Sequence, residues 1–263
     1  MAAFADVSLD IDSNHVALVE LHRPPHNFFS LELLGSLADA FEAADEDPDA
    51  RCIVLASEGK NFSAGAELIK GNPTLTSERG NNPSGRHLYD EAVRLFSCVT
   101  PVVAAVRGAA VGGGLGLACM ADFRVGGPGS RFTSNFARLG FHHGFGLSVS
   151  LPAIVGNQAA LNLLYTGRRI NGEEAATLGL IDQLVDDDEA VRGAATEMAA
   201  EIAASAPLAV QSIRRTMRGH LPDAIRAATD RERAEQERLR STNDWSEGVA
   251  AMADRRTPNF TAT

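Results

Sequence analysis

Residues 100–120 read Thr-Pro-Val-Val-Ala-Ala-Val-Arg-Gly-Ala-Ala-Val-Gly-Gly-Gly-Leu-Gly-Leu-Ala-Cys-Met, from Thr100 to Met120. The apolar, β-branched residues 102–106 predict a buried strand, and the residues after the glycine triplet at 112–114 predict a packed helix. Where a strand passes through glycines into a helix start, backbone N–H groups point outward with no side chains in the way. Such a place favours negative charge.

Two familiar nucleotide-binding motifs do not fit this stretch. A dinucleotide-binding Gly-x-Gly-x-x-Gly pattern fails because its last position falls on Leu117 or on Cys119. A P-loop fails because Gly114 and Leu115 stand where Lys and Ser or Thr are needed. A purely structural alternative remains open, in which the glycines only let a helix pack closely on a sheet.

A second glycine-containing segment lies upstream. Residues 59–68 read Gly-Lys-Asn-Phe-Ser-Ala-Gly-Ala-Glu-Leu and follow the strand-like residues 52–56. Both segments have the order strand, small-residue loop, helix start, so one N–H group from each could converge on a single carbonyl oxygen as an oxyanion hole. In order and spacing, the two segments resemble the enoyl-CoA hydratase/isomerase, or crotonase, family, and the resemblance covers residues 21–260.

The fold class expected from the residues themselves is α/β. Alternating polar and apolar residues at 7–11 and 15–21 predict a hairpin, and helical spacing follows from residue 31 to an end near Pro48. From Asn157 onward the pattern is almost wholly helical. The resemblance implies a crotonase-like spiral of β-β-α units with a C-terminal helical trimerisation region, divided as a core at residues 1–200 and a helical part at 201–263. It also implies a homotrimer or a dimer of trimers.

The resemblance further implies an acyl-CoA thioester as ligand. Its carbonyl oxygen would lie between the N–H groups of Ala66 and Gly113, and coenzyme A would belong to the substrate, with no other tightly bound cofactor and no metal. The positions that correspond to coenzyme A contacts in the family are Arg23, Pro25, His26, Arg255 and the backbone of Ala64 and Ala66.

The acid and base positions depart from the family pattern. The two glutamates of hydratase relatives align with Gly116 and Phe136, and an aspartate used by other relatives aligns with Gly144. Hydration needs groups that deprotonate water and supply the α-proton, so these replacements argue against it. The adjacent His142 and His143 are candidate acid or base groups, since histidine titrates near neutral pH. The alternative is that both histidines are structural.

Other polar groups are weaker candidates for reaching the site. They are His87, Tyr89, Asp90 and Glu91, which follow the turn-rich residues 71–85, a predicted cover over the site.

Composition excludes several other function classes. With 24 basic and 34 acidic residues the net charge is −10, which argues against general nucleic-acid binding. The three cysteines are widely spaced in apolar segments, as expected for core residues in a reducing compartment. The first ten residues lack signal-peptide character, and no apolar run is long enough to span a membrane. These features predict a cytoplasmic protein.

The sequence therefore predicts an enzyme of acyl-CoA and lipid metabolism that works through a thioester enolate. Isomerisation, decarboxylation or C–C hydrolysis fits the residues better than hydration does, and hydration by a base other than the two glutamates stays open as an alternative. The competing hypothesis is a non-catalytic acyl-CoA-binding protein, which would keep the oxyanion hole without the proton-transfer groups.

Overall fold

The computed structural model describes residues 4–66 and 86–263 of the chain. The strands are β1 (Val7–Ile11), β2 (Val16–Leu21), β3 (Cys52–Ser57), β4 (Val102–Val106), β5 (Ala109–Val111), β6 (Phe123–Gly126), β7 (Arg131–Thr133), β8 (Arg169–Asn171) and β9 (Gln183–Leu184). The helices are α1 (Leu31–Glu46), α2 (Leu88–Phe96), α3 (Gly113–Met120), α4 (Leu147–Val155), α5 (Asn157–Thr166), α6 (Gly172–Thr177), α7 (Val191–Ala203), α8 (Pro207–Arg218), α9 (Leu221–Leu239) and α10 (Asn243–Ala253).

The strands of the described residues form two sheets. The larger has the order β1-β2-β3-β4-β6-β9, with β1 antiparallel to β2 and the other pairs parallel. The smaller has the order β5-β7-β8. β4 leads through Arg107 and Gly108 directly into β5, so the chain passes from one sheet to the other within the second glycine segment.

Both faces of the larger sheet are covered, which explains its continuous apolar strands. Because side chains alternate along a strand, Ile53 and Leu55 join the main core with α1, while Val54 points to the opposite face. On that second face α7 presents Ala195 and Ala199, one helical turn apart, and these small side chains let the helix approach the sheet closely.

A buried carboxylate joins α9 to the start of α4. Glu232 is fully buried, and its two oxygens accept hydrogen bonds from the backbone N–H groups of Gly146 (2.8 Å) and Ser148 (3.0 Å) and from the Ser148 hydroxyl (2.7 Å). These N–H groups have no acceptor within α4 because they belong to its first turn. The negative charge is favourable there, and α9 is thereby fixed against the centre of the molecule.

The predicted hairpin, the buried strands and the mixed α/β class are confirmed. The three short strands of the smaller sheet and helix α4 were not predicted. The proposed boundary at residue 200 falls inside α7, which ends at Ala203. The predicted cover at residues 71–85 lies outside the described residues. Among those that are described, no helix combines the length and apolar character needed to cross a membrane.

Candidate functional site

The two glycine segments lie side by side. We call residues 59–66 the first glycine loop and residues 107–114 the second glycine loop. Ser63 forms a parallel bridge with Ala110: its N–H donates to the Ala109 carbonyl (3.0 Å), and its carbonyl accepts from Val111 N–H (2.9 Å). The two predicted oxyanion donors therefore belong to segments that are hydrogen-bonded to each other.

Glycine is required where these loops touch. Gly65 has φ +74°, and a Cβ atom there would lie 2.6 Å from the Val111 carbonyl oxygen and 3.3 Å from the Gly113 nitrogen. A Cβ on Gly114 would lie 2.2 Å from the Ser63 carbonyl oxygen. Both distances to oxygen are shorter than van der Waals contact allows, so side chains at these positions would force the loops apart.

Ala66 and Gly113 line the same cavity. The Gly65 carbonyl accepts from Phe29 N–H (2.8 Å), and because a trans peptide points its carbonyl and N–H in opposite directions, Ala66 N–H faces away from Phe29. Gly113 is the first residue of α3, where N–H groups have no intrahelical acceptor. Neither N–H donates to any residue of 4–66 or 86–263. The geometry is compatible with an oxyanion hole, and the assignment stays a prediction.

The cavity beside these donors has a volume of about 490 Å³ and is lined mainly by apolar side chains. Its walls come from the segment before α1, both glycine loops, the start of α2, the segment between β7 and α4, and helices α9 and α10. Among the described residues that line it there is no Asp or Glu. The described walls therefore offer no carboxylate to activate water.

Gly116 faces a phenylalanine ring. A Cβ on Gly116 would lie 2.6 Å from the Cβ of Phe145 and 2.8 Å from two of its ring atoms. The space into which a side chain at position 116 would extend is thus occupied by Phe145, which lines the cavity. Phe136, at the other position aligned with a glutamate, also lines the cavity.

This contact predicts that Gly116→Ala is destabilising although alanine favours helices. We expect a loss of about 1–3 kcal/mol in the free energy of unfolding, because the new methyl group meets the base of a buried side chain. Gly193→Ala in α7 is the matched control, since its Cβ would meet nothing within 4 Å. There we expect no loss, or a gain of up to about 1 kcal/mol. Urea unfolding measures both. In a Phe145→Ala background, the Gly116→Ala change should cost far less free energy of unfolding. If it costs the same with and without the Phe145 side chain, the contact between positions 116 and 145 is contradicted.

Several polar side chains do reach the cavity. His87 and Tyr89 line it, whereas Asp90 and Glu91 do not. His87 Nδ1 accepts from Tyr89 N–H (3.1 Å) as the N-cap of α2, and the Tyr89 hydroxyl donates to Gln236 Oε1 (2.8 Å). A Cβ on Gly144 would lie 1.8 Å from that hydroxyl oxygen, so the tyrosine occupies the space beside Gly144.

Asn135 is a cavity residue that the sequence did not single out. A Cβ on Gly112 would lie 3.3 Å from Asn135 Oδ1, which places this amide next to the Gly113 donor. The side chain lines the cavity and makes no hydrogen bond to any described residue. Its position one residue before Phe136 was the available signal, but a neutral amide did not suggest acid or base chemistry.

The two candidate histidines lie outside the cavity lining. His142 Nδ1 donates to the His143 carbonyl (2.7 Å), and the two rings stack at 4.1 Å. Because the Ser148 hydroxyl already donates to Glu232, it accepts from His143 Nε2–H (2.8 Å). The His143 ring thus joins, through Ser148, the contacts that fix α9 to α4, and the His142 ring stacks on it. Their catalytic role stays a prediction, and this position favours the structural alternative.

Burial, and to a lesser extent the charge of His142, lower the pKa of His143 from 6.5 to about 4. In the unfolded chain, His143 therefore binds a proton below about pH 6.5, whereas in the folded chain it does so only below about pH 4. As the pH falls from about 6.5 to about 4, we expect the free energy of unfolding of the wild type to decrease by on the order of 2 kcal/mol more than that of the His143→Gln variant. Unfolding curves across the range test this, with the exposed His220→Gln as control. Identical pH profiles for wild type and His143→Gln would contradict it.

The predicted coenzyme A positions are only partly assembled at the cavity. Ala64 and Ala66 line it, and Ala64 N–H donates to the His26 carbonyl (2.8 Å). Arg23 lies outside the lining, and its guanidinium donates hydrogen bonds to the Asp6 carboxylate (2.5 Å) and the Ser30 hydroxyl (2.6 Å). Three more predicted positions also lie outside the lining, namely Pro25, His26 and the exposed Arg255 just beyond the end of α10.

The arginines of the late helices make two kinds of ion pair. Arg231, Arg233 and Arg238 form ion pairs with glutamates of the same helix, as expected for a solvated face. Arg214 instead contacts Asp122, whose carboxylate also accepts from Val102 N–H (2.8 Å). Asp122 therefore links α8 to the start of β4 through its carboxylate.

Comparison with known proteins assigns the chain to a family. The enoyl-CoA hydratase/isomerase family model matches residues 12–263. A Mycobacterium tuberculosis protein named "Probable enoyl-CoA hydratase EchA14" is 38% identical over 221 residues, 83% of each chain. The 1,2-epoxyphenylacetyl-CoA isomerase of Escherichia coli is 30% identical over 249 residues, 94% of this chain and 95% of its own.

Similarity in structure extends over the whole fold. The crystal structure of an enoyl-CoA hydratase/isomerase from Pseudoalteromonas atlantica matches with a TM-score of 0.86 at 27% identity, covering 98% of this chain and all of that one. The predicted crotonase-like α/β fold with its C-terminal helical region is thereby confirmed. The chain belongs to the enoyl-CoA hydratase/isomerase family.

Proposed function

We propose that this protein binds acyl-CoA thioesters and isomerises them through an enolate whose oxygen is held by the N–H groups of Ala66 and Gly113. The observation that carries the proposal is that Ala66 and Gly113 line one cavity and that their N–H groups have no acceptor among residues 4–66 and 86–263. Loss of the α-proton moves negative charge onto the thioester oxygen. Donors already aimed at that oxygen stabilise this charge without having to reorganise.

Isomerisation is favoured over hydration by the cavity lining. Addition of water requires groups that position and deprotonate it, and no carboxylate lies among the described lining residues. An isomerisation moves a proton within one substrate and needs no second reactant. The Escherichia coli relative named as an isomerase supports the same choice.

The proton-transfer groups proposed for this reaction are His87 and Tyr89. Both line the cavity, whereas His142 and His143 do not. Asn135, beside the Gly113 donor, is suited to hydrogen-bond a polar atom of the substrate. The predicted homotrimer or dimer of trimers, the cytoplasmic location and the remaining coenzyme A contacts stay predictions.

A non-catalytic acyl-CoA-binding protein is the second candidate. The observation that favours it is Phe145, which occupies the space next to Gly116 and makes the cavity wall apolar there. Such a wall binds an acyl group without offering any proton-transfer group.

Deuterium exchange separates the two candidates. The protein is incubated with saturated and enoyl-CoA esters in D2O, and the products are followed by mass spectrometry and by isomer retention time. Enolate formation predicts deuterium at the α-carbon well above the level without protein. Binding of the same esters, shown by calorimetry, with no exchange would overturn the enzymatic proposal in favour of the binder. Absence of binding to any ester would contradict both.

A further inference from the structure

Aromatic side chains are concentrated around the cavity. The chain contains 12 Phe, 2 Tyr and 1 Trp, and six of these residues line the cavity: Phe28, Phe29, Tyr89, Phe136, Phe141 and Phe145. They come from segments far apart in sequence, so their proximity arises from tertiary folding rather than from one apolar stretch. The donors of the proposed oxyanion hole therefore open into a cavity with aromatic walls.

One pair of rings lies directly beside the Gly113 donor. We call Phe29 and Phe145 the first aromatic wall. A Cβ on Gly113 would lie 3.1 Å from the ring of Phe29 and 3.8 Å from that of Phe145. The two ring centroids are 5.7 Å apart, with the planes tilted by 33°. The two rings therefore pack directly beside the backbone of Gly113.

A second pair of rings also lies beside the second glycine loop. Phe136 and Phe141 form the second aromatic wall, with centroids 6.4 Å apart and planes at 30°. A Cβ on Gly112 would lie 3.4 Å from Phe136, so this wall also reaches the donor loop. Trp245 supports Phe141 from behind, at 4.4 Å between centroids.

The backbone is strained where it places the first wall. Phe145 has φ +62°, a left-handed conformation that a residue with a side chain adopts only at an energetic cost. Its ring is nonetheless buried, and Gly116 lacks the side chain that would collide with it. Strain of this kind persists where the surrounding structure fixes it, and at a cavity wall it indicates that the ring itself has a role.

We infer that the acyl group accepted by this cavity is aromatic, with its phenyl ring packed against the aromatic lining and the thioester carbonyl at Ala66 and Gly113. The inference rests on the proposed function and specifies its substrate class. A volume of about 490 Å³ is ample for a ring and its linker. Offset or edge-to-face contacts add affinity beyond the burial of apolar area, so an aromatic acyl group gains over a saturated one of the same shape.

The test compares two esters that differ only in the ring. The affinities of 3-phenylpropanoyl-CoA and 3-cyclohexylpropanoyl-CoA are measured by calorimetry, with free coenzyme A as reference. We expect the phenyl ester to bind about threefold to tenfold more tightly although cyclohexyl is the more apolar group. Equal binding, or tighter binding of the cyclohexyl ester, would overturn the aromatic preference and leave the proposed function standing. Failure of both esters to bind better than coenzyme A would contradict the proposed function itself.

Variants of the two walls assign the preference to these rings. Phe145→Leu and Phe136→Leu should each reduce the difference between the two esters to less than about twofold. Phe123→Leu is the control, since Phe123 is exposed in β6 and does not line the cavity, and it should keep the full difference. Thermal unfolding checks each variant. If Phe145→Leu does not fold, Phe136→Leu still provides the test from another segment. Retention of the full difference in a folded wall variant would contradict the role of that wall.

Discussion

Replacement of Gly113 by proline is expected to lower the rate of α-proton exchange about 10²- to 10³-fold. Proline has no N–H, so this variant removes one of the two proposed oxyanion donors, and loss of one such donor typically costs about 3–4 kcal/mol of transition-state stabilisation. Gly113 is the first residue of α3, where proline is well tolerated because no intrahelical bond is lost. The helix should therefore persist, and circular dichroism together with thermal unfolding verifies this.

Gly113→Ala is the matched control for that variant. It introduces the same Cβ atom near Phe29, 3.1 Å from the ring, but keeps the N–H group. We expect exchange to fall by less than about tenfold, because the phenylalanine ring has to shift by only a few tenths of an ångström. If alanine and proline impair exchange equally, the loss arises from crowding against Phe29 and the N–H group of Gly113 is not an oxyanion donor.

Gly65→Ala is expected to be strongly destabilising. Two costs combine, since φ +74° is unfavourable for alanine and the new Cβ would lie 2.6 Å from the Val111 carbonyl oxygen. The conformational cost alone is about 1–2 kcal/mol. The collision with backbone of the paired loop raises the expected total to more than about 3 kcal/mol. Separation of the loops should also weaken binding of acyl-CoA esters.

Gly179→Ala is the matched control for Gly65→Ala, because it carries only the conformational cost. Gly179 has nearly the same φ, +75°, but a Cβ there would meet only the Ile154 carbonyl oxygen at 3.9 Å. We expect this control to lose only the conformational cost, about 1–2 kcal/mol, and to bind ligand normally. Urea unfolding of both proteins gives the difference. If the two substitutions cost the same, the close contact between the glycine loops contributes nothing to stability.

Much of this fold could be predicted because its signals are local. The alternation at residues 7–11 and 16–21 gives a hairpin, and the apolar runs at Cys52–Ser57 and Val102–Val106 give buried parallel strands. Each glycine loop follows one of these strands, so the place where the two loops meet was also predictable. The strands of the smaller sheet were missed because three residues are too few to show a period of two.

The cavity walls could not be predicted because they depend on tertiary contacts. Nothing local indicates that Phe145 adopts a left-handed conformation, or that its ring fills the space beside Gly116. The histidines that follow Phe141 seemed to be candidates because chain position alone places them near the site. In the structure, Glu232 from a distant helix engages the same segment, and their rings pack outside the cavity lining.

The role of α2 at the cavity could not be predicted either. Its sequence, Leu-Tyr-Asp-Glu-Ala-Val-Arg-Leu-Phe, predicts an amphipathic helix and gives no sign that Tyr89 reaches Gln236 of α9. This hydrogen bond joins residues 147 positions apart in sequence, and only the folded chain brings them together. Proton-transfer candidates that depend on such contacts were therefore less visible than the backbone donors, which each need only a small residue and a turn.

The most direct test of the central claim is a crystal structure of the protein with 3-phenylpropanoyl-CoA bound. The claim predicts that the thioester oxygen lies about 2.7–3.1 Å from the backbone nitrogens of both Ala66 and Gly113. An ordered thioester oxygen that contacts neither nitrogen would contradict it.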